Sequence, residues 1–319
     1  MPAAIACQGL TKRYGDVLAL DHLTLDVPTG SIFGFLGPNG AGKTTTLRLL
    51  TGLAFPTEGG ATIAGMDIAA GGAELRRRTG YLDQAPQFYG WMRGRELLMF
   101  VGELFGLRGA ALRERVDEAL ALTGLDDAAN RGIHGYSGGM RQRLGLAQAL
   151  VNRPEILLLD EPVNALDPEG RHAMLDVIAG LRGQATVLMS SHILADIERV
   201  CDTVAIINRG KLVVSSSVDE LRERYAQPVF LLEIEPGLDE RIAALLAALR
   251  AAPWVDDIVW RRPSLRVVAR DPQTAGREIL AALVTHGVEI QRFERARPTL
   301  EDIFLRLVRG DQPEKGTAA

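Results

Sequence analysis

Cysteine is nearly absent from this sequence: only Cys7 and Cys201 occur, far apart. They offer neither a disulfide framework nor the paired spacing of a metal site, which suits a reducing cytosol. No apolar run approaches the roughly 20 residues that cross a bilayer as a helix. No charged side chain precedes Lys12, so the basic start of a signal peptide is missing. Ala4-Ile5-Ala6-Cys7 has the outline of a lipoprotein cleavage site, but it stands too close to Met1 to have an apolar region before it. Excess charge is also lacking. A net charge of -4 and the absence of a strongly basic face argue against a nucleic-acid partner. There is no heptad run. These absences predict a soluble, cytoplasmic chain, so that any membrane span belongs to another polypeptide. At 319 residues the chain is long for one domain, and two are expected.

The sequence does contain Gly37-Pro38-Asn39-Gly40-Ala41-Gly42-Lys43-Thr44-Thr45, which fits G-x-x-x-x-G-K-[ST]. The apolar run Ile32 to Leu36 before it reads as a buried strand, and Thr44 to Leu53 after it as a helix. Glycines let a backbone curl around an anion with its N–H groups facing inward. The helix N-terminus adds partial positive charge at the same place. In this arrangement Lys43 reaches the β- and γ-phosphates, Thr44 offers its hydroxyl to Mg²⁺, and Thr45 lies near the α-phosphate.

The apolar run Ile156 to Leu159 ends in Asp160-Glu161 and reads as a parallel strand buried on both faces. Ligands of such sheets bind beyond the carboxyl ends of the strands. Asp160 is therefore a candidate for fixing the hydration shell of Mg²⁺, and Glu161 for polarising an attacking water. The next predicted strand, Thr186 to Met189, runs out into Ser190-Ser191-His192. His192 is either a γ-phosphate contact or an ordinary loop residue. Tyr14 is either a stacking platform for adenine or a tyrosine packed at a strand end. Ser137-Gly138-Gly139 before the helix reaching Val151 is either a second anion-suited helix start or ordinary capping.

Between these motifs, Val17 to Val27 reads as a strand broken near Asp21-His22. Thr57 to Ile68 reads as short pieces broken by Gly59-Gly60 and Gly65. Residues 86–135 read as a helical insertion. Its first helix, Gly94 to Phe105, places Leu97, Leu98, Val101 and Leu104 on one face. Its second is Leu112 to Thr123, followed by a polar linker from Asp126 to Gly135. Phe88, Tyr89 and Trp91 precede the first helix and either meet a partner or pack inside the insertion. The hairpin Val204 to Val214 closes a domain spanning 1–224. From 225 to 310 the order β-α-β-β-α-β suggests a small ferredoxin-like α+β unit. A further helix, Thr299 to Val308, and a disordered tail, 311–319, complete the chain.

In this order, Tyr14, the phosphate loop, Gln84, the Ser137–Gln142 element S-G-G-x-x-Q, Asp160-Glu161, Asp167 and His192 resemble the nucleotide-binding subunit of an ABC transporter. Pro298-Thr299-Leu300-Glu301-Asp302-Ile303-Phe304 resembles the end of its drug- and sodium-export branch. The resemblance implies a phosphate-loop ATPase fold with a helical insertion, binding ATP and Mg²⁺. It implies that Gln84 senses Mg²⁺ and the water and links the core to the insertion. Ser137 and Gly139, in the element that also holds Gly138 and Gln142, meet the γ-phosphate of ATP on a second copy. Asp167 lies at the same interface. The result is a homodimer that sandwiches two ATP molecules and drives export through a separate permease at the inner face of the membrane. Asp83, Val163 and Ala165 depart from the usual pattern, which has proline, threonine or serine, and glycine or serine there. The alternatives are an ABC ATPase acting on a soluble macromolecular complex, and a nucleotide-binding module without turnover. Glu161, His192 and Gln84, all present, argue against the latter.

Overall fold

The computed structural model describes residues 3–224, 228–235, 239–296, 300 and 303–304. The chain divides into two compact units, Met1–Val218 and Asp219–Ala319.

The first unit opens with two long strands, β1 (Ala3–Tyr14) and β2 (Val17–Pro28), then β3 (Ile32–Leu36) and α1 (Lys43–Leu50). Next come β4 (Glu58–Ile63), β5 (Met66–Asp67), α2 (Gly72–Arg78) and β6 (Thr79–Leu82). The helical insertion holds α3 (Gly94–Leu104), α4 (Gly109–Leu122) and a 3-10 turn at Ile133–Gly135. After it follow α5 (Gly138–Leu150), β7 (Ile156–Asp160), α6 (Pro168–Gly180), β8 (Thr186–Ser191) and α7 (Leu194–Val200). The hairpin β9 (Thr203–Asn208) and β10 (Lys211–Ser217) leads to α8 (Val218–Arg224).

Two sheets result, ordered β2-β1-β4-β5 and β10-β9-β3-β8-β7-β6. In the larger sheet β3, β6, β7, β8 and β9 run parallel, and β10 is an antiparallel edge. Every residue of β3, β7 and β8 is buried, as expected of parallel strands covered on both faces. In-register pairing sets Leu36 beside Ser191 and Asp160 beside Ser190. The carboxyl ends of the three strands therefore coincide, and the chemistry-bearing residues leave the sheet at one edge.

Several expectations are corrected. The break at Asp21-His22 is a bulge inside a continuous β2. His22 takes φ 52°, and the register slips between the pairs Leu10–Leu23 and Lys12–Leu20. Gly59-Gly60 lies within β4 and breaks nothing, whereas the expected break at Gly65 is a turn, Ala64-Gly65, where both residues have positive φ. On α3 the buried stripe is Gly94, Leu97, Leu98 and Gly102, and Leu104 is exposed. A Cβ on Gly102 would meet Leu112 Cδ1 at 2.4 Å, so α4 approaches on the glycine side and turns Leu104 outward. The stretch Asp126 to Gly135 is more than a polar linker, because Ala129 and Ile133 enter the insertion's own core with Leu98, Val116 and Leu120.

The second unit follows the expected order: β11 (Val229–Ile234), α9 (Asp239–Ala251), β12 (Val255–Arg261), β13 (Ser264–Ala269), α10 (Pro272–His286) and β14 (Ile290–Ala296). Its antiparallel sheet is ordered β12-β13-β11-β14, the ferredoxin-like arrangement. Ile242, Leu245, Leu246 and Leu249 of α9 are all buried, as their spacing requires. The Asp271 carboxylate caps α10, accepting from Gln273 N and Thr274 N, and Gly287 ends it at φ 61°. Most of the expected helix Thr299 to Val308, and the tail 311–319, lie outside the described residues.

Candidate functional site

The loop from Gly37 to Gly42 joins the end of β3 to the start of α1. Two of its glycines are required. A Cβ on Gly37 would fall 2.4 Å from Ile207 O, and Gly42 stands at φ 113° against Ala19 O and Leu20. The loop is thus clamped between β9 and β2. A cavity of about 270 Å³ opens over it, lined by Asn39, Gly40, Ala41, Gly42, Lys43, Thr44, Thr45, Gln84, Glu161 and Ala19. Pro38 supports the rim, its carbonyl 3.4 Å from Lys43 Nζ. Lys43 is 6% exposed, donates to Gly37 O at 2.7 Å, and lies 3.5 Å from Glu161 Oε1.

Asp160 ends β7 fully buried. Its Oδ1 accepts from Ser190 Oγ at 2.6 Å, and the same Oγ accepts from Glu161 N at 2.9 Å. Burial pushes the Asp160 carboxyl above its ordinary range; hydrogen bonds from Ser190 and Thr44 oppose the shift, and the charges of Asp83 and Glu161 add to it. Among the described residues, Asp160 Oδ2 has no hydrogen-bond partner. Burial, with the charges of Asp83 and Asp160, also raises the Tyr81 phenol, which donates to Asp83 Oδ2.

Glu161 adopts φ 50°, an uncommon conformation for a residue with a side chain, held by its N–H on Ser190. The turn aims the carboxylate back over the phosphate loop. Glu161 Oε2 lies 2.5 Å from His192 Nδ1, so the histidine is brought into the site. Gln84 borders the same cavity from the end of β6.

A second group assembles around the start of α5. Ser137 caps that helix, its Oγ accepting from Met140 N at 3.1 Å. Gly138 and Gly139 face Ala165 and Leu166 of the turn that ends at Asp167. Asp167 caps α6 by accepting from Gly170 N at 2.9 Å. Gln142 is buried, 1% exposed, and its Nε2 has no partner among the described residues. None of these residues lines the phosphate-loop cavity. One group thus holds a phosphate loop, acids and histidine; the other presents a helix start and its companion turn.

Tyr14, at the end of β1, is half exposed, with Lys12 Nζ 4.8 Å from its ring centroid. Its strand pairs with β2 through Lys12–Leu20 and Arg13–Leu18, on either side of the cavity-lining Ala19. Arg171 pairs with Asp196, which the sequence places only near the start of the helix after His192. Asp196, 3% exposed, takes Arg171 at 2.6 and 2.7 Å and has its carboxyl pushed up by burial, against the pull of Arg171. The pair ties α6 to α7, the helix that follows His192, one helical turn beyond the Asp167 cap. A 25-residue separation leaves no local signal for it.

Comparison with known proteins bears on both units. The ABC transporter family profile matches residues 20–164, and the profile described as "ATP-binding protein DrrA1-3-like, C-terminal domain" matches residues 217–308. The uncharacterized ABC transporter ATP-binding protein YxlF of Bacillus subtilis strain 168 is 40% identical, over 95% of this chain and 99% of that one. The bacitracin transport ATP-binding protein BcrA of Bacillus licheniformis is 35% identical, over 97% and 99%. The daunorubicin resistance ATP-binding protein DrrA3 of Streptomyces coeruleorubidus is 35% identical, over 99% of each. Among solved structures, an ATP-binding subunit of an ABC transporter superposes with TM-score 0.65 at 29% identity, covering 70% of this chain and 93% of that one. The dimeric cassette MJ0796 gives TM-score 0.62 at 26% identity, covering 67% and 98%.

Proposed function

The chain belongs to the ATP-binding subunits of ABC transporters, and we propose that it hydrolyses ATP to power export through a separate membrane-spanning permease. The observation that carries the proposal is the convergence of Lys43, Asp160, Glu161 and His192 on one edge of the sheet, over a glycine loop that can take phosphates. No helix among the described residues is long and apolar enough to cross a membrane, so the pathway for the exported molecule is assigned to a partner. Relatives named for bacitracin transport and daunorubicin resistance support the export direction. The chain's place is then the inner face of the membrane.

Each residue has a role in this reading. Main-chain N–H groups of the loop and Lys43 hold the triphosphate, with Lys43 exchanging its Gly37 carbonyl and Glu161 for phosphate oxygens. Tyr14 stacks the adenine. Glu161 accepts hydrogen from the attacking water, and His192 orients the Glu161 carboxylate and meets the γ-phosphate. The donors also fit Mg²⁺: the buried Asp160 Oδ2 lacks a partner among the described residues, and the Thr44 hydroxyl stands beside the carboxylate. Mg²⁺ keeps several waters and takes few protein ligands, so Thr44, Asp160 and Gln84 suffice without a cluster. Bound there, it would neutralise charge on the phosphate oxygens.

Ser137, Gly138, Gly139, Gln142 and Asp167 stand apart from this cavity, which supports their acting on ATP held by a second copy. Binding then closes a homodimer and hydrolysis lets it part. On the insertion, Phe88 packs against the core, whereas Tyr89 and Trp91 are exposed with ring centroids 5.9 Å apart. That outward pair suits the permease's cytoplasmic face.

Co-expression with a candidate permease of about six spanning helices tests the proposal. The expected result is a complex that survives purification and hydrolyses ATP faster than the chain alone. A chain that neither binds the permease nor hydrolyses ATP would remove the reading.

A further inference from the structure

We propose that Lys12 is a positioning residue for the nucleotide base, covering one face of the Tyr14 ring so that adenine stacks on the other. The inference rests on the reading that Tyr14 stacks adenine, and it concerns a residue to which that reading gives no role.

Lys12 and Tyr14 stand two apart on β1, so their side chains share one face of the strand. The ammonium sits over the ring, 4.8 Å from its centroid, within the range of a cation–π contact. Its place is fixed from outside the strand, because Nζ donates to Phe55 O at 2.7 Å. Two further bonds tie the end of β1 to the segment after α1. Thr57 N donates to Thr11 O at 2.8 Å, and Arg13 N to Thr57 Oγ1 at 3.0 Å. That segment leaves the same α1 whose first turn carries Lys43, Thr44 and Thr45. The ring is thereby referenced to the phosphate loop through Lys12.

A half-exposed tyrosine at a strand end otherwise loses rotational freedom when a base stacks on it. A ring already held by an ammonium on one side loses less, and preorganisation of this kind strengthens binding without a new ligand contact. The charge also gives the covered face a partner that a base cannot displace cheaply, which leaves the outer face as the stacking surface.

Titration of the full chain separates the terms, with a non-hydrolysable ATP analogue compared against inorganic tripolyphosphate, which fills the loop but has no base. Lys12→Met is expected to weaken the analogue by about two- to fivefold and to leave tripolyphosphate unchanged. Lys12→Arg, which keeps a cation over the ring, should bind like the parent. In a Tyr14→Ala background, Lys12→Met should cause no additional loss. Equal weakening of both ligands, tighter analogue binding, or no effect beside a base-selective loss in Tyr14→Ala each overturns the role of Lys12 while sparing that of Tyr14. If Tyr14→Ala binds the analogue as well as the parent, the stacking reading fails first and the inference falls with it.

Discussion

Glu161 and His192 meet at 2.5 Å, Oε2 against Nδ1, across 31 residues of sequence. The contact fixes the carboxylate from one side while Lys43 faces its other oxygen at 3.5 Å. A carboxylate held in this way has a fixed orientation over the glycine loop, which suits the general-base role proposed for it.

If Glu161 is the base proposed, replacing it should separate binding from turnover. Glu161→Gln keeps the shape of the side chain and removes its charge, so hydrolysis should drop by at least about a hundredfold. ATP binding should persist, and light scattering after gel filtration should find a dimer that outlasts the run. Undiminished ATPase activity in this variant would take Glu161 out of the water-activating role.

The two possible roles of Ser137 can be told apart by its aspartate variant. Asp is as good a helix cap as Ser, so Ser137→Asp should leave α5 and the melting temperature close to the parent's. The added negative charge opposes a γ-phosphate brought by a second copy. The ATP-dependent dimer of Glu161→Gln should therefore disappear when Ser137→Asp is added. A dimer that persists would reduce Ser137 to capping alone.

Asp160 gives a prediction with a defined sign. Burial raises its native carboxyl above the unfolded value, so the native state holds the proton to higher pH. Its contribution is most favourable below the unfolded pKa and is lost as pH rises through the native value. At neutral pH the folded protein therefore bears the cost of a buried charge, one oxygen of which has no partner among the described residues. Asp160→Asn should raise the melting temperature of the nucleotide-free protein by about 2–4 °C at neutral pH, with a smaller gain in acid, and abolish Mg²⁺-dependent hydrolysis. A lower melting temperature at neutral pH would contradict the assignment.

Trp91, 78% exposed beside Tyr89, tests the coupling surface. Trp91→Glu should leave the ATPase rate of the isolated chain within about twofold, because surface changes away from packed features alter little. Co-purification with the permease and substrate export should both decline. Unimpaired export by vesicles carrying the variant would assign the aromatic pair no part in coupling.

The sequence by itself determined the pieces whose physics is local. A glycine loop between an apolar strand and a helix start is legible because backbone geometry and amide direction act over a few residues. The same holds for the run from Ile156 to Asp160, for the Ser137 cap, and for the stripe Ile242, Leu245, Leu246 and Leu249. Tertiary structure alone decided what depends on which element lies beside which. Strand order set Ser190 against Asp160 and turned Glu161 to φ 50° toward His192. The close approach of α4 at Gly102 moved Leu104 into solvent against its helical spacing. Packing of α6 on α7 joined Arg171 to Asp196. Such contacts form between segments distant along the chain, and their free energy exists only once the backbone has brought them together.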